Sequence, residues 1–250
     1  MSRRFMSAAP RTLTLNPASF PACRAARARA VGVPWLPGSL ARSRARLNPA
    51  PALKAPPPLE KPLHLNATDD GFAMMDGQTV IATVRGVPAK QMDLPDCPDA
   101  AATAAATARY PGHDHSPIPH CFVCGSKRDE GDALRVFTGP LEGRDMAAAP
   151  WVPHASFADE SGTIAKRYLL AALDCPGAWA WYGQTGGHML LGRMHCETLG
   201  SVSAGEACTV TAWPMGRDGR KVWAGSAVHN AHGTVVAFGY ATWITVVEVS

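Results

Sequence analysis

One carboxylate stands where a charge is costly. Asp174 follows Leu169-Leu170-Ala171-Ala172-Leu173 and precedes Cys175-Pro176-Gly177. An acid in so apolar a run is destabilised in its charged form, and burial raises its pKa. That is the setting of a general base or a nucleophile. Pro176 lacks an N–H, so it removes the helical bond to the carbonyl of Ala172 and opens the helix beside the acid. Backbone N–H groups freed there, at Gly177 and Ala178, suit the binding of an oxyanion. The same residues also read as ordinary capping, with Asp174 at the cap of a second helix that begins at Pro176. Both readings stand on the sequence.

Arg217, Arg220 and Lys221 fall on one hairpin, whose turn reads as Gly216-Arg217-Asp218-Gly219. Grouped cations suit phosphate groups at a pocket rim, or a solvated hairpin. Cys121-x-x-Cys124 follows His113, His115 and His120, residue types that ligate zinc. No second Cys pair completes four ligands, so no metal and no cofactor is expected. Cys175 has no base beside it in sequence and reads as a small buried thiol. His195 alternates with Arg193 and Glu197 on a strand face read as solvated. Seven cysteines, an odd number with no apolar export signal, favour a reducing, cytoplasmic setting.

These residues need elements to place them. Gly71–Met75 and Thr79–Arg85 read as a hairpin joined by Asp76-Gly77. Pro98–Tyr110 reads as an Ala-rich helix with Asp99 at its positive end. Leu134–Phe137 is a strand candidate, and 146–160 is a connection dense in Ala and Pro. Ser161 opens a long helix with an apolar stripe at Ile164, Tyr168 and Ala171/Ala172, which Gly183 ends. The period then becomes two. Leu190–Leu199, Ala207–Met215, Lys221–His229 and Thr234–Val247 read as an antiparallel meander with short turns. One apolar helix before such a meander implies a sheet wrapped around it, an α+β architecture.

The charge is unevenly spread. Residues 1–59 carry nine Arg, Lys54 and ten Pro, with no Asp or Glu. They read as a disordered basic arm. The rest holds 14 basic and 20 acidic residues, a net of −6 within the overall +4. Nucleic acid is therefore not implied as a partner, and no apolar run reaches the ~18 residues of a membrane helix. A chain starting near residue 60 is expected to keep fold and ligand binding.

Residues 121–246 resemble the hotdog superfamily, in its acyl-CoA thioesterase-like branch. The resemblance rests on Cys121-Phe122-Val123-Cys124-Gly125, on Tyr168–Asp174 as a central helix with its acid, and on Gly219-Arg220-Lys221-Val222-Trp223-Ala224. Gly233–Ala237 running into Ala241–Ile244 completes it. It implies a hotdog fold over 120–250, with 60–119 as a small hairpin-plus-helix unit, or a degenerate half of a double hotdog. It implies hydrolysis of an acyl-CoA thioester by a homo-oligomer, with Asp174 as base or nucleophile and Gly177 near the oxyanion. Arg217, Arg220 and Lys221 would hold the CoA phosphates. Relatives' His-Gly-Gly is replaced here by Asp159-Glu160-Ser161-Gly162-Thr163-Ile164. That motivates the alternative, a non-catalytic module that binds an acyl-CoA-like ligand or serves in dimerisation.

Overall fold

The computed structural model describes residues 11–14, 47–58, 61–89, 91–185 and 187–246. The meander forms where alternation demands it. Four long strands, β8 (His188–Thr198), β9 (Cys208–Asp218), β10 (Lys221–His229) and β11 (Val235–Val246), pair antiparallel. Asp218 faces Lys221 across a two-residue turn, Gly219-Arg220, in which Gly219 takes a positive φ of 54°. A fifth strand, β7 (Ala147–Trp151), lies beside β9, and the two-residue β6 (Gly139–Pro140) borders it. Thus the stretch read as a connection contains a strand. Its small residues gave no period, but Ala147, Ala148, Ala149 and Trp151 are all buried, as in a strand covered on both faces.

The order β7-β9-β10-β11-β8 carries two short helices on one face, α3 (Lys166–Ala171) and α4 (Asp174–Trp179). Leu169, Leu170, Ala172 and Leu173 enter one core with Val210, Val222, Ala224, Val228, Ala241 and Trp243. An antiparallel sheet with helices packed on one face fits the expected hotdog fold. The single long helix does not form. Ser161 instead belongs to a loop built on Asp159, whose Oδ1 accepts from the N–H groups of Ser161 and Thr163. Ile164 donates to the carbonyl of Val202, so the helix begins only at Lys166. Two local side-chain bonds outcompete the first helical turn.

On the opposite face lies α1 (Ala100–Ala108), capped by Asp99, whose Oδ1 accepts from the N–H of Ala102 at 2.7 Å. Ala106 packs with Ala148, Trp213, Ala227 and Phe238. Between α1 and the meander, α2 (Gly112–His115) is a single turn. Leu134–Phe137 is not a strand, because Arg135 adopts φ 56°. It still buttresses its neighbours: the N–H groups of Leu134 and Val136 donate to the carbonyls of Phe122 and Val123.

The N-terminal strands extend the same sheet. β3 (Pro62–Thr68), β4 (Gly71–Asp76) and β5 (Thr79–Pro88) form a meander, with β1 (Arg11–Thr14) beside β3. Their buried cluster, Leu63, Leu65, Met74, Ile81 and Ala82, contains no helical residue. The helix of residues 60–119, α1, packs on β7 and the meander rather than on β3, β4 and β5.

Most unexpected is β2 (Leu47–Leu53), inside the arm read as disordered. It pairs with β5 over seven residues and touches β8 through Ala52 and Arg193. Pro49 and Pro51 are two residues apart, so both missing donors point to the same side and the ladder on the other side stays whole. The remainder of residues 1–46 lies outside the described residues. Among the described residues, no helix is long and apolar enough to cross a membrane.

Candidate functional site

A cleft of about 1110 Å³ opens beside the helix pair. Its floor is the inner face of β8 and β11, through Leu190, Gly192, Met194, Cys196, Trp243 and Ile244. Leu170, Ala171, Asp174, Cys175, Ala178 and Trp179 form one wall. The loop from His115 to Cys124 forms another, and Leu53–Pro56, at the end of β2, closes the edge. Apart from Asp174, the residues nearest the helix break are apolar or sulfur-bearing. Such a space suits an elongated apolar ligand.

Asp174 reaches this cleft because the helix breaks just before it. Ala172 ends α3 and Leu173 caps α4, which makes Asp174 the first residue of α4. Pro176 then occupies the third helical position, where no N–H is needed. The carbonyl of Leu173 also accepts from the hydroxyl of Ser226, at 2.8 Å, which pins the break to β10. Asp174 is half-buried, and its Oδ1 is closed from solvent with no hydrogen-bond partner. Burial, and secondarily the negative sulfur of Cys121, pushes its pKa up to about 7. The carboxylate is thus poised to exchange a proton near neutrality.

Sulfur collects next to it. The Sγ atoms of Cys121, Cys124 and Cys175 all lie within 4.8 Å of one another. Thiol hydrogen bonds from Cys124 and Cys175, with backbone N–H groups, hold Cys121 well below the usual thiol range; the same contacts push Cys175 up. Tyr110 is buried behind the loop, and its hydroxyl donates to the carbonyl of Cys124 at 2.7 Å.

The structure separates the other residues read from the sequence. Gly177 is buried against the sheet, where an added Cβ would lie 2.9 Å from Nε1 of Trp243. As the fourth helical residue it is the first whose N–H has a partner within the helix. Arg217, Arg220 and Lys221 are exposed and none lines the cleft. Arg217 comes nearest, donating to the carbonyl of Gln184 between the cleft residues Gly183 and Thr185. Among the described residues, the cation that does line the cleft is Lys54, in the proline-rich arm. His113 and His120 stand outside the sulfur trio, as does the cleft-lining His115. His195 and Glu197 are not solvated: both are buried and bonded, Nε2 to Oε1, at 2.9 Å, with His195 stacked on Tyr240.

No family model matches the sequence, and no curated protein matches it. Solved structures do. They include the E. coli PaaI protein from the phenylacetic acid degradation operon, at 16% identity over 48% of this chain and 86% of that one, with a TM-score of 0.43. A putative thioesterase from Ralstonia eutropha JMP134, related to phenylacetic acid degradation, matches at 17% identity over 56% and 99%, with a TM-score of 0.45. A hypothetical thioesterase from Streptococcus pneumoniae TIGR4, solved with coenzyme A, matches at 12% over 42% and 84%, with a TM-score of 0.39. Two further matches are named as thioesterase-superfamily proteins, and this likeness has TM-scores of only 0.40 and 0.38. At these identities it bears on no residue of the site.

Proposed function

We propose that this chain hydrolyses an acyl-CoA-like thioester, with the acyl chain in the apolar cleft and Asp174 as general base. The observation that carries the reading is the lone carboxylate of Asp174 on the wall of a large apolar cleft. An acyl chain would lie along Leu190, Met194, Trp243 and Ile244. The thioester carbonyl would then reach the helix break. Asp174 takes a proton from water as its oxygen attacks the carbonyl carbon. The tetrahedral intermediate expels the thiolate of CoA, which takes up the proton, leaving a free acid and a thiol. Lys54 at the cleft and Arg217 behind its rim supply positive charge for the nucleotide phosphates.

Removing the base without changing its shape tests this. Asp174→Asn is expected to lower kcat on a panel of acyl-CoAs by ~100-fold or more, with KM little changed. Equal kcat in both proteins removes Asp174 from the reaction. A second reading, a binding module without turnover, is favoured by the burial of Gly177 against Trp243, away from any oxyanion. Acyl-CoA binding by calorimetry with no release of thiol in the wild type would establish it.

A further inference from the structure

Three cysteines that the hydrolytic reading does not use converge on the cleft wall. Cys121 and Cys124 come from the loop after Pro119, and Cys175 comes from the first turn of α4. The sulfurs of Cys121 and Cys175 are 3.4 Å apart, and Cys124 completes a group within 4.8 Å. Sulfurs about 2.3 Å from a tetrahedral zinc stand about 3.8 Å from one another. The three thiols are already spaced for one ion.

We propose that Cys121, Cys124 and Cys175 bind a zinc ion through three thiolates and leave its fourth position open toward the cleft.

The loop is built for it. Gly125 follows Cys124 at a point where a Cβ would stand 2.5 Å from the backbone N and O of Cys121. The N–H of Gly125 donates to the carbonyl of Cys121 at 2.9 Å, and Lys127 donates to that of Pro119. The chain folds back on itself tightly enough to bring the two sulfurs together. Among the described residues, no imidazole or carboxylate joins the three within the same distance. The described residues therefore supply three ligands, the number that leaves zinc an exchangeable position. All three cysteines line the cleft, so that position would be taken by water or by a thiol or carboxylate of a bound molecule. Soft sulfur ligands select a thiophilic ion over magnesium or calcium.

Cobalt(II) tests this without reference to hydrolysis. The full-length chain is reduced, stripped with a chelator and titrated anaerobically with Co²⁺, then with Zn²⁺. The expected result is one equivalent bound, intense near-ultraviolet sulfur-to-cobalt charge transfer, and its loss as zinc displaces cobalt. Cys121→Ser, Cys124→Ser and Cys175→Ser each weaken binding roughly tenfold or more, whereas Cys196→Ser, also in the cleft but outside the trio, does not. Near-ultraviolet circular dichroism shows which variants keep the fold. The wild-type spectrum decides the matter even if all three unfold. Absence of charge transfer in the reduced wild type overturns the site, as does undiminished affinity in the three folded variants.

Discussion

The sulfurs of Cys121 and Cys175 lie 3.4 Å apart although 54 residues separate them. Two local events create the contact. The Cys121–Gly125 loop folds back sharply, and the helix breaks at Leu173, which turns Cys175 toward that loop. Asp174 is carried along by the same break. The acid and the sulfur cluster thus depend on one feature of the backbone, the junction between α3 and α4.

The loop itself offers a direct check. In Gly125→Ala, the new methyl group would meet backbone atoms of Cys121 and Pro119 at 2.5–2.7 Å. Backbone cannot rotate aside as a side chain does. The expected loss of stability is about 2–3 kcal/mol, or a Tm lower by roughly 5–10 °C. Thermal unfolding followed by circular dichroism measures it. An unchanged Tm would mean that the loop is looser than its hydrogen bonds imply.

On the proposed reading, Leu53 would separate acyl binding from CoA binding. It lines the cleft and also packs on the cluster around Leu63 and Ile81. Leu53→Asn would remove apolar surface from the proposed acyl site and leave the charges of Lys54 and Arg217 unopposed. Affinity for a long-chain acyl-CoA is expected to fall roughly tenfold, the equivalent of burying about half a Leu side chain. Free CoA should bind as before. Isothermal titration with both ligands reads the difference, and a parallel loss for both would place the acyl chain elsewhere. A chain cut near residue 60 would lack β2 and the lining residues Leu53–Pro56, and the same titration reads whether it still binds.

Asp99 gives the opposite case, stability without function. Its carboxylate caps α1 on the sheet face away from the cleft. Asp99→Ala is expected to cost about 1 kcal/mol in denaturant unfolding. Ligand affinity should stay unchanged. A weakened affinity would show that the two faces of the sheet are coupled.

How much of this was legible in sequence follows from the range of each interaction. Alternation in Leu190–Leu199 speaks for itself, because strand period is local; the turn read at Gly216–Gly219 falls instead at Gly219-Arg220, since Arg217 and Asp218 pair with Val222 and Lys221. The Asp99 cap is local too. β7 was missed because Ala147–Ala149 are too small to show a period, and β2 because its prolines hid a strand that only β5 and β8 could reveal. His195 and Glu197 alternate correctly with Met194 and Cys196. What alternation cannot tell is whether the outer face is covered. Asp174 was visible as an acid in an apolar run. Its company was not: Cys175 joins Cys121 only through the tertiary fold, and none of His113, His115 and His120 joins the sulfur trio. The cleft's cation, Lys54, sat in the segment that composition had set aside.

His229 makes stability depend on pH. Its ring is buried, with Nε2 3.1 Å from Oγ1 of Thr211 and Nδ1 3.3 Å from the carbonyl of Gly233. Burial lowers its pKa below the usual 6.5, and the Gly233 carbonyl opposes this only in part. The folded protein therefore keeps the ring neutral at a pH where the unfolded chain has already taken up a proton. Above pH 6.5 both states are neutral and nothing is lost. As pH falls from 6.5 toward the folded value, the unfolded state binds the extra proton and gains, by at most about 1.4 kcal/mol per pH unit. The midpoint of urea unfolding should fall between pH 7.5 and 5. Other groups also titrate over this range, so the comparison is with His229→Gln, which keeps a polar partner for Thr211 but does not titrate. The wild type is expected to lose stability more steeply than the variant. Parallel slopes would show that His229 is protonated as readily in the folded sheet as in the open chain.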